Sequence, residues 1–129
     1  MPLENSVKPQ LNIFGETLAP CSIDPMTGFF RDGCCNTTHS DIGSHTICAE
    51  MTERFLKYSK DKGNDLSTPR PEFGFEGLRP GDSWCLCATR WLQAEKDGYA
   101  PLVFGKSTNY LALTIVPEHL LKKYLVTVN

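Results

Sequence analysis

The sequence lacks several features that would assign it to a well-defined functional class. It has no excess of positive charge, because 13 basic side chains face 15 acidic ones and the two signs are interspersed. Affinity for nucleic acids depends largely on lysine and arginine neutralising phosphates, so we expect no nucleic-acid partner. No stretch approaches the ~20 apolar residues of a membrane span, so we expect no membrane partner.

The first residues, MPLENSVKPQLNIFGE, also lack the run of about 7–15 apolar residues that a secretory signal requires. We therefore predict a cytoplasmic protein whose cysteines are mostly reduced. Internal repeats and the catalytic motif G-x-S-x-G are missing as well. These absences exclude several classes and leave the function open.

A length of 129 residues predicts one domain. We assign residues 1–10 to a flexible N-terminal segment and residues 11–129 to a single domain. Strand and helix patterns occur without regular alternation, which indicates an α+β fold. We expect a small mixed or antiparallel sheet, about three helices and long Pro/Gly-rich loops.

Hydrophobic periodicity locates the main elements. A helix is predicted from about Thr46 to Lys62, because apolar residues recur there at intervals of three and four. Strands are predicted at Ser83–Ala88, Leu102–Phe104 and Tyr110–Val116, and Pro117 is expected to open a terminal helix.

The six cysteines are the most distinctive feature that is present. They form an adjacent pair (Cys34 and Cys35), an alternate pair (Cys85 and Cys87) and two single residues, Cys21 and Cys48. In a strand, Cys85 and Cys87 lie on one face at a Cα separation of roughly 6.5–7 Å, too far apart for a mutual disulfide. Two thiols on one face favour a site over core packing.

Thiolates and imidazoles are ligands that zinc and iron prefer. We hypothesise that Cys34, Cys35, Cys85 and Cys87 form a thiol-rich site for a metal, such as zinc, or for a small ligand. His45 and Cys48 are further candidate ligands. Against this hypothesis, the C-x₂-C spacing of common zinc sites is absent, and Cys48 falls in the apolar stripe of the predicted helix. Buried free thiols without any chemistry are the competing interpretation.

Two other classes stay open. A thiol-dependent enzyme needs a base beside its cysteine, and Cys35 has His39, Asp41 and His45 near it in sequence. Sequence proximity alone does not identify an enzyme or its catalytic residues. A protein-interaction module would instead use exposed aromatic residues of the loops, namely Phe29, Phe30, Phe73 and Phe75.

A loop that binds an anion or another small ligand is the last candidate. Arg70 stands between two prolines, and Trp84 and Arg90 belong to the segment that follows the Pro/Gly-rich stretch. An arginine held on the surface, or paired with a neighbouring acid, is the alternative interpretation for Arg70. Core packing is the alternative for Trp84.

Three segments together resemble a known family. They are CSIDPMTGFFRDGCCNT (Cys21–Thr37), GNDLSTPRPEFGFEGL (Gly63–Leu78) and RPGDSWCLCATRW (Arg79–Trp91). They are similar to a bacterial family of short proteins, domain of unknown function 2237 (DUF2237). The resemblance implies a self-contained domain and carries no activity. Thr108-Asn109 departs from the Thr-His of that family, which implies that no histidine at this position is essential.

Overall fold

A two-stranded antiparallel sheet forms the centre of the fold. The structure is a computed structural model and describes residues 10–126. Strand β1 (His45–Glu50) pairs with strand β2 (Ser83–Cys87). The register sets His45 opposite Cys87, and a bulge or irregularity follows between His45 and Ile47. This pairing joins two segments that are far apart in sequence.

Residues 10–126 contain three α-helices: α1 (Glu53–Asp61), α2 (Ala88–Lys96) and α3 (Glu118–Lys122). Helix α1 begins at Glu53 because the Thr52 hydroxyl accepts a hydrogen bond from a backbone N–H of its first turn. Helix α2 follows β2 with no intervening loop. Short 3-10 helices occupy Pro71–Phe73, Gly105–Ser107 and Tyr110–Thr114. The predicted α+β class is confirmed.

The main core packs the helices against the sheet. Trp91 of α2 is fully buried, its indole N–H donates to the Pro101 carbonyl, and Tyr124 meets the ring edge-on at 5.0 Å. A second, separate cluster contains Cys35, Cys48 and Cys85. Buried aromatic and aliphatic groups therefore stabilise one side of the sheet, and sulfur atoms lie in a smaller cluster elsewhere.

Within residues 10–126, no helix is long and apolar enough to cross a membrane. The expected flexible segment 1–10 lies outside the described residues apart from Gln10, whose side chain hydrogen-bonds the backbone of Thr37.

The predicted helix from Thr46 to Lys62 is wrong in its first part, because residues 45–50 form β1. Four consecutive residues of β1 are buried, so both faces of the strand are covered and its apolar pattern does not alternate. A short apolar run of this kind is easily mistaken for part of a helix. Cys48 consequently lies in a strand and not in a helical stripe.

The strands predicted at Leu102–Phe104 and Tyr110–Val116 are not formed. Val103 makes only isolated bridges, and residues 110–114 form a 3-10 helix. The Asn109 side chain accepts the N–H of Leu111 and so starts a helical turn. By contrast, the strand at Ser83–Cys87 and the helix after Pro117 are confirmed.

Candidate thiol site

Four of the six cysteines form two disulfides. Cys21 pairs with Cys48 and Cys35 with Cys85, at Cα separations of 5.7 and 5.3 Å. The expectation of mostly reduced cysteines is therefore wrong for these four. The sheet register sets Cys48 opposite Cys85, and two loops bring their partners onto them. The sequence did not predict this register, because residues of β1 were predicted to be helical.

The structure does not bring the four residues proposed as metal ligands together. Cys35 and Cys85 are joined to each other, whereas Cys34 and Cys87 are free, half-buried thiols. The backbone N–H of Cys34 donates to Asp32, and burial together with that carboxylate raises the pKa of the Cys34 thiol. Metal binding by this set stays a prediction.

Cys87 and His45 face each other across the sheet and line one pocket of about 180 Å³. Cys87 is the last residue of β2 and the N-cap of α2, so its side chain stands at the amino end of a nine-residue helix. The remaining lining residues are Asn64, Leu66, Trp84, Leu86 and Arg90. The Cys87 thiol and the His45 imidazole therefore share one small pocket with both polar and apolar walls, which we call the thiol site.

Gly43 shows how closely these two groups approach. A Cβ atom at this position would lie 2.9 Å from Cε1 of His45 and 3.5 Å from Sγ of Cys87. The imidazole and the thiol thus lie around the same point. Only glycine leaves room for the ring as it stands, because carbon atoms do not approach to 2.9 Å without displacement.

The other side of the His45 ring is held by Asp41. Nδ1 of His45 lies 2.7 Å from Oδ1 of this buried carboxylate, which also accepts the backbone N–H of His45 and the hydroxyl of Thr37. Burial alone would raise the pKa of Asp41, but these hydrogen bonds outweigh it and lower the pKa. An ionised carboxylate accepts only, so Nδ1 donates to Asp41, and Nε2 is the ring nitrogen that this contact leaves free.

The backbone between Asp41 and β1 is strained where it positions His45. Ser44 has a φ of +50°, which is uncommon for a residue other than glycine. Its carbonyl accepts the first N–H of α2, from Ala88, at 2.9 Å. The bulge in β1 begins at His45, and bulges often redirect a side chain beside a site. This loop therefore ties the imidazole to the start of α2.

Two of the three residues proposed for ligand binding line the pocket. Trp84 is nearly buried and forms part of its wall, and Arg90 donates from its guanidinium to the Lys62 carbonyl. Arg70 is exposed, pairs through its backbone with Phe75, and lies outside the residues that line this pocket. A third arginine, Arg31, stacks over Trp84 at 5.3 Å from the ring centroid.

The loop aromatic residues have different environments. Phe73 is 79% exposed, and Phe29 and Phe30 are partly exposed and contact each other edge-on. Phe75 instead packs against Trp84 at 5.6 Å between ring centroids. A groove of about 510 Å³ is lined in part by Phe73, Phe75 and Trp84. An interaction surface formed by these residues stays a prediction.

The sequence identified Cys87, Asp41 and His45 as candidate residues but did not predict that they lie together. It placed His39, Asp41 and His45 with Cys35, whereas the structure places Asp41 and His45 with Cys87. No sequence signal indicated the strand register that adds Cys87.

Comparison with protein-family models matches residues 11–125 to the family described as uncharacterized protein conserved in bacteria, DUF2237. The match spans nearly all of the described residues and includes the three segments that carry the resemblance. The chain belongs to this family. No curated protein matches it. Membership of DUF2237 carries no activity with it, so a function has to be argued from the thiol site.

Proposed function

We propose that this DUF2237 protein is a thiol-dependent enzyme in which Cys87 is the nucleophile and His45 is the general base. The observation that carries the proposal is the shared pocket of a free thiol and an imidazole whose Nδ1 is held by a buried carboxylate. Cysteine and serine hydrolases on unrelated folds use this combination of nucleophile, base and orienting group. Asp41 is the positioning residue.

The arrangement suits acyl transfer. In this reaction Nε2 of His45 takes the proton of the Cys87 thiol, and the sulfur attacks the carbonyl carbon of an ester or thioester. The carbonyl oxygen gains the negative charge, which the amino end of α2 stabilises. The leaving group departs with the proton from the imidazolium, and water then hydrolyses the thioester to free Cys87.

The amino end of helix α2 is suited to bind the oxyanion, because its backbone N–H groups can donate hydrogen bonds to it. The side chain of Cys87, at the N-cap position, makes no capping hydrogen bond to the first turn. The Ala88 N–H already donates a hydrogen bond to the Ser44 carbonyl. The next two N–H groups, from Thr89 and Arg90, point toward the amino end of the helix beside Cys87. They are the candidate donors to the oxyanion.

The pocket restricts the substrate. Its volume of about 180 Å³ accommodates a short acyl group and not a long chain. Leu66, Leu86 and Trp84 supply apolar wall, and Arg90 supplies the positive charge. We therefore expect acetyl and other short acyl groups to be accepted.

The first test compares the two free thiols of one molecule. Under non-reducing conditions, iodoacetamide should alkylate Cys87 about 10-fold or more faster than Cys34 at pH 7, because Cys87 has a base beside it. His45→Asn should remove most of this difference. His39→Asn, at an exposed histidine, is the matched control and should leave both rates unchanged.

The second test uses p-nitrophenyl acetate. Mass spectrometry should find a single acetyl group on Cys87, and Cys87→Ala should abolish both this adduct and p-nitrophenol release. Cys34→Ala should retain them. Equal alkylation of the two thiols, with no effect of His45→Asn, would contradict the proposal.

A further inference from the structure

The two disulfides form a single cluster of four sulfur atoms. The Sγ atoms of Cys21, Cys35 and Cys85 all lie within 4.8 Å of one another. Cys48 is bonded to Cys21 and lies opposite Cys85 in the sheet. Each disulfide is therefore in the immediate neighbourhood of the other, although the four cysteines come from four separate segments of the chain.

The spacing of three of these four sulfur atoms is close to that of a tetrahedral metal centre. Zinc binds four thiolates at ~2.3 Å, which places the sulfur atoms of a regular tetrahedron at about 3.8 Å from each other. On reduction Cys35 and Cys85 separate from 2.07 Å and Cys21 approaches them from at most 4.8 Å, so these three sulfur atoms reach this spacing by movements of about 1 Å. Cys48, which lies outside this group of three, separates from Cys21 starting at 2.05 Å. Rotation about χ1 of a reduced cysteine supplies displacements of this size.

The surroundings match a structural metal site. Cys35, Cys48 and Cys85 are at most 1% exposed, and Phe104 packs against them. The backbone of the two strand cysteines is held by the sheet, which keeps Cys48 and Cys85 adjacent when no sulfur bond joins the chain segments. Four reduced thiols are compatible with an apolar environment, and the energetic contribution of a bound metal ion would be to cross-link the four chain segments.

A pocket on one side of the cluster gives a reductant access to its sulfur atoms. Cys21 and Cys48 line an apolar pocket of about 510 Å³, whose wall includes Phe14 and Phe104. The Cys21–Cys48 disulfide is thus the one that a reductant reaches from this pocket. Cys21 is also the least buried member of the cluster.

We propose that Cys21, Cys35, Cys48 and Cys85 bind one Zn²⁺ when both disulfides are reduced. Two dithiol molecules supply the four electrons and become two disulfides, and the protein gains four thiols. Zinc binding then releases four protons and leaves four thiolates on the metal. The protein would alternate between a form cross-linked by two disulfides and a form cross-linked by zinc.

This ligand set differs from the one expected from sequence. It keeps Cys35 and Cys85, and it replaces Cys34 and Cys87 with Cys21 and Cys48. Cys87 is left to the thiol site, so the zinc proposal and the proposed enzyme use different cysteines. Either one can fail without the other.

The test uses the full chain, reduced with a phosphine because dithiols chelate metals. Titration with Co²⁺ should give the strong visible absorption of tetrahedral cobalt–thiolate coordination at one metal per chain, and Zn²⁺ should displace it. Cys35→Ser and Cys21→Ser should weaken binding by about tenfold or more, because each removes one of four ligands. The double variant Cys34→Ala/Cys87→Ala retains the cluster and should bind metal like the parent protein.

Circular dichroism of the same samples covers the case in which the reduced chain unfolds. Zinc should then restore the spectrum of the oxidised protein, as expected when metal binding and folding are coupled. Absence of both the cobalt absorption and any recovery of structure would overturn the proposal. Loss of binding in Cys34→Ala/Cys87→Ala would do so as well.

Discussion

Asp41 is a buried carboxylate that accepts hydrogen bonds from the ring and backbone of His45 and from the hydroxyl of Thr37. At the scale of single residues, the charge of the Asp41 carboxylate therefore orients the imidazole. The same charge contributes to the free energy of folding. Because the pKa of Asp41 is lowered in the folded state, its ionised form stabilises the native protein.

Asp41→Asn should lower the free energy of unfolding by about 1–3 kcal/mol at pH 7, as for a buried group that loses charged hydrogen bonds. The stabilisation by the carboxylate is complete above the ordinary pKa of about 3.9. It is lost as the pH falls from there through the lowered pKa of the folded state. Urea denaturation of both proteins between pH 7 and pH 2 should therefore show a difference that shrinks below about pH 4.

Asp61→Asn is the control for this experiment, since Asp61 is exposed at the end of α1. Its effect should stay within about 0.5 kcal/mol. A difference between wild type and Asp41→Asn that is constant down to pH 2 would argue against an ionised Asp41 as the source of the stabilisation.

At the scale of elements, two buried threonines complete the hydrogen bonding of the two-stranded sheet. Cys48 and Cys85 are opposite each other, and their N–H groups bond to side chains outside the sheet and not to the partner strand. The Thr108 hydroxyl accepts the N–H of Cys48, and the Thr27 hydroxyl accepts that of Cys85. A sheet of only two strands has two open edges, and these side chains take the place of a third and a fourth strand.

Thr27→Val and Thr108→Val should each lower the free energy of unfolding by about 1–3 kcal/mol, because valine has the same shape and leaves a buried N–H without an acceptor. Hydrogen exchange should accelerate at the amide of Cys85 in the first variant and of Cys48 in the second. Thr114→Val is the control, since Thr114 is exposed and water replaces its hydroxyl contact. Unchanged stability and unchanged exchange would show that other groups satisfy these amides.

The elements also differ in how far their sequences predicted them. β2 was predictable, because Pro80-Gly81-Asp82 ends a loop directly before a short apolar run. β1 was not, because burial on both faces removed the alternation that identifies a strand. The 3-10 helix at Tyr110–Thr114 was missed for a different reason. Its β-branched and aromatic residues favour a strand, but the capping bond of Asn109 favours a turn.

At the scale of the whole molecule, the sites depend on pairings between distant segments. Cys48 lies opposite Cys85, and His45 opposite Cys87, because β1 and β2 pair in one particular register. Composition identified cysteines as the informative residues, and family resemblance identified DUF2237. Neither source of information contains the register. The expected ligand set therefore combined Cys35 and Cys85 of the disulfide cluster with Cys87 of the thiol site and with Cys34, which belongs to neither.

The two disulfides should contribute much of the stability of the oxidised protein. They close loops with sequence separations of 27 and 50 residues, for which loop-closure entropy predicts roughly 3–4 kcal/mol each. Cys21→Ala/Cys48→Ala and Cys35→Ala/Cys85→Ala should therefore each lose about that much in non-reducing urea denaturation. Cys34→Ala/Cys87→Ala removes the same number of cysteines but no cross-link. This control should lose far less, and an equal loss in all three would mean that side-chain packing, and not cross-linking, makes the contribution.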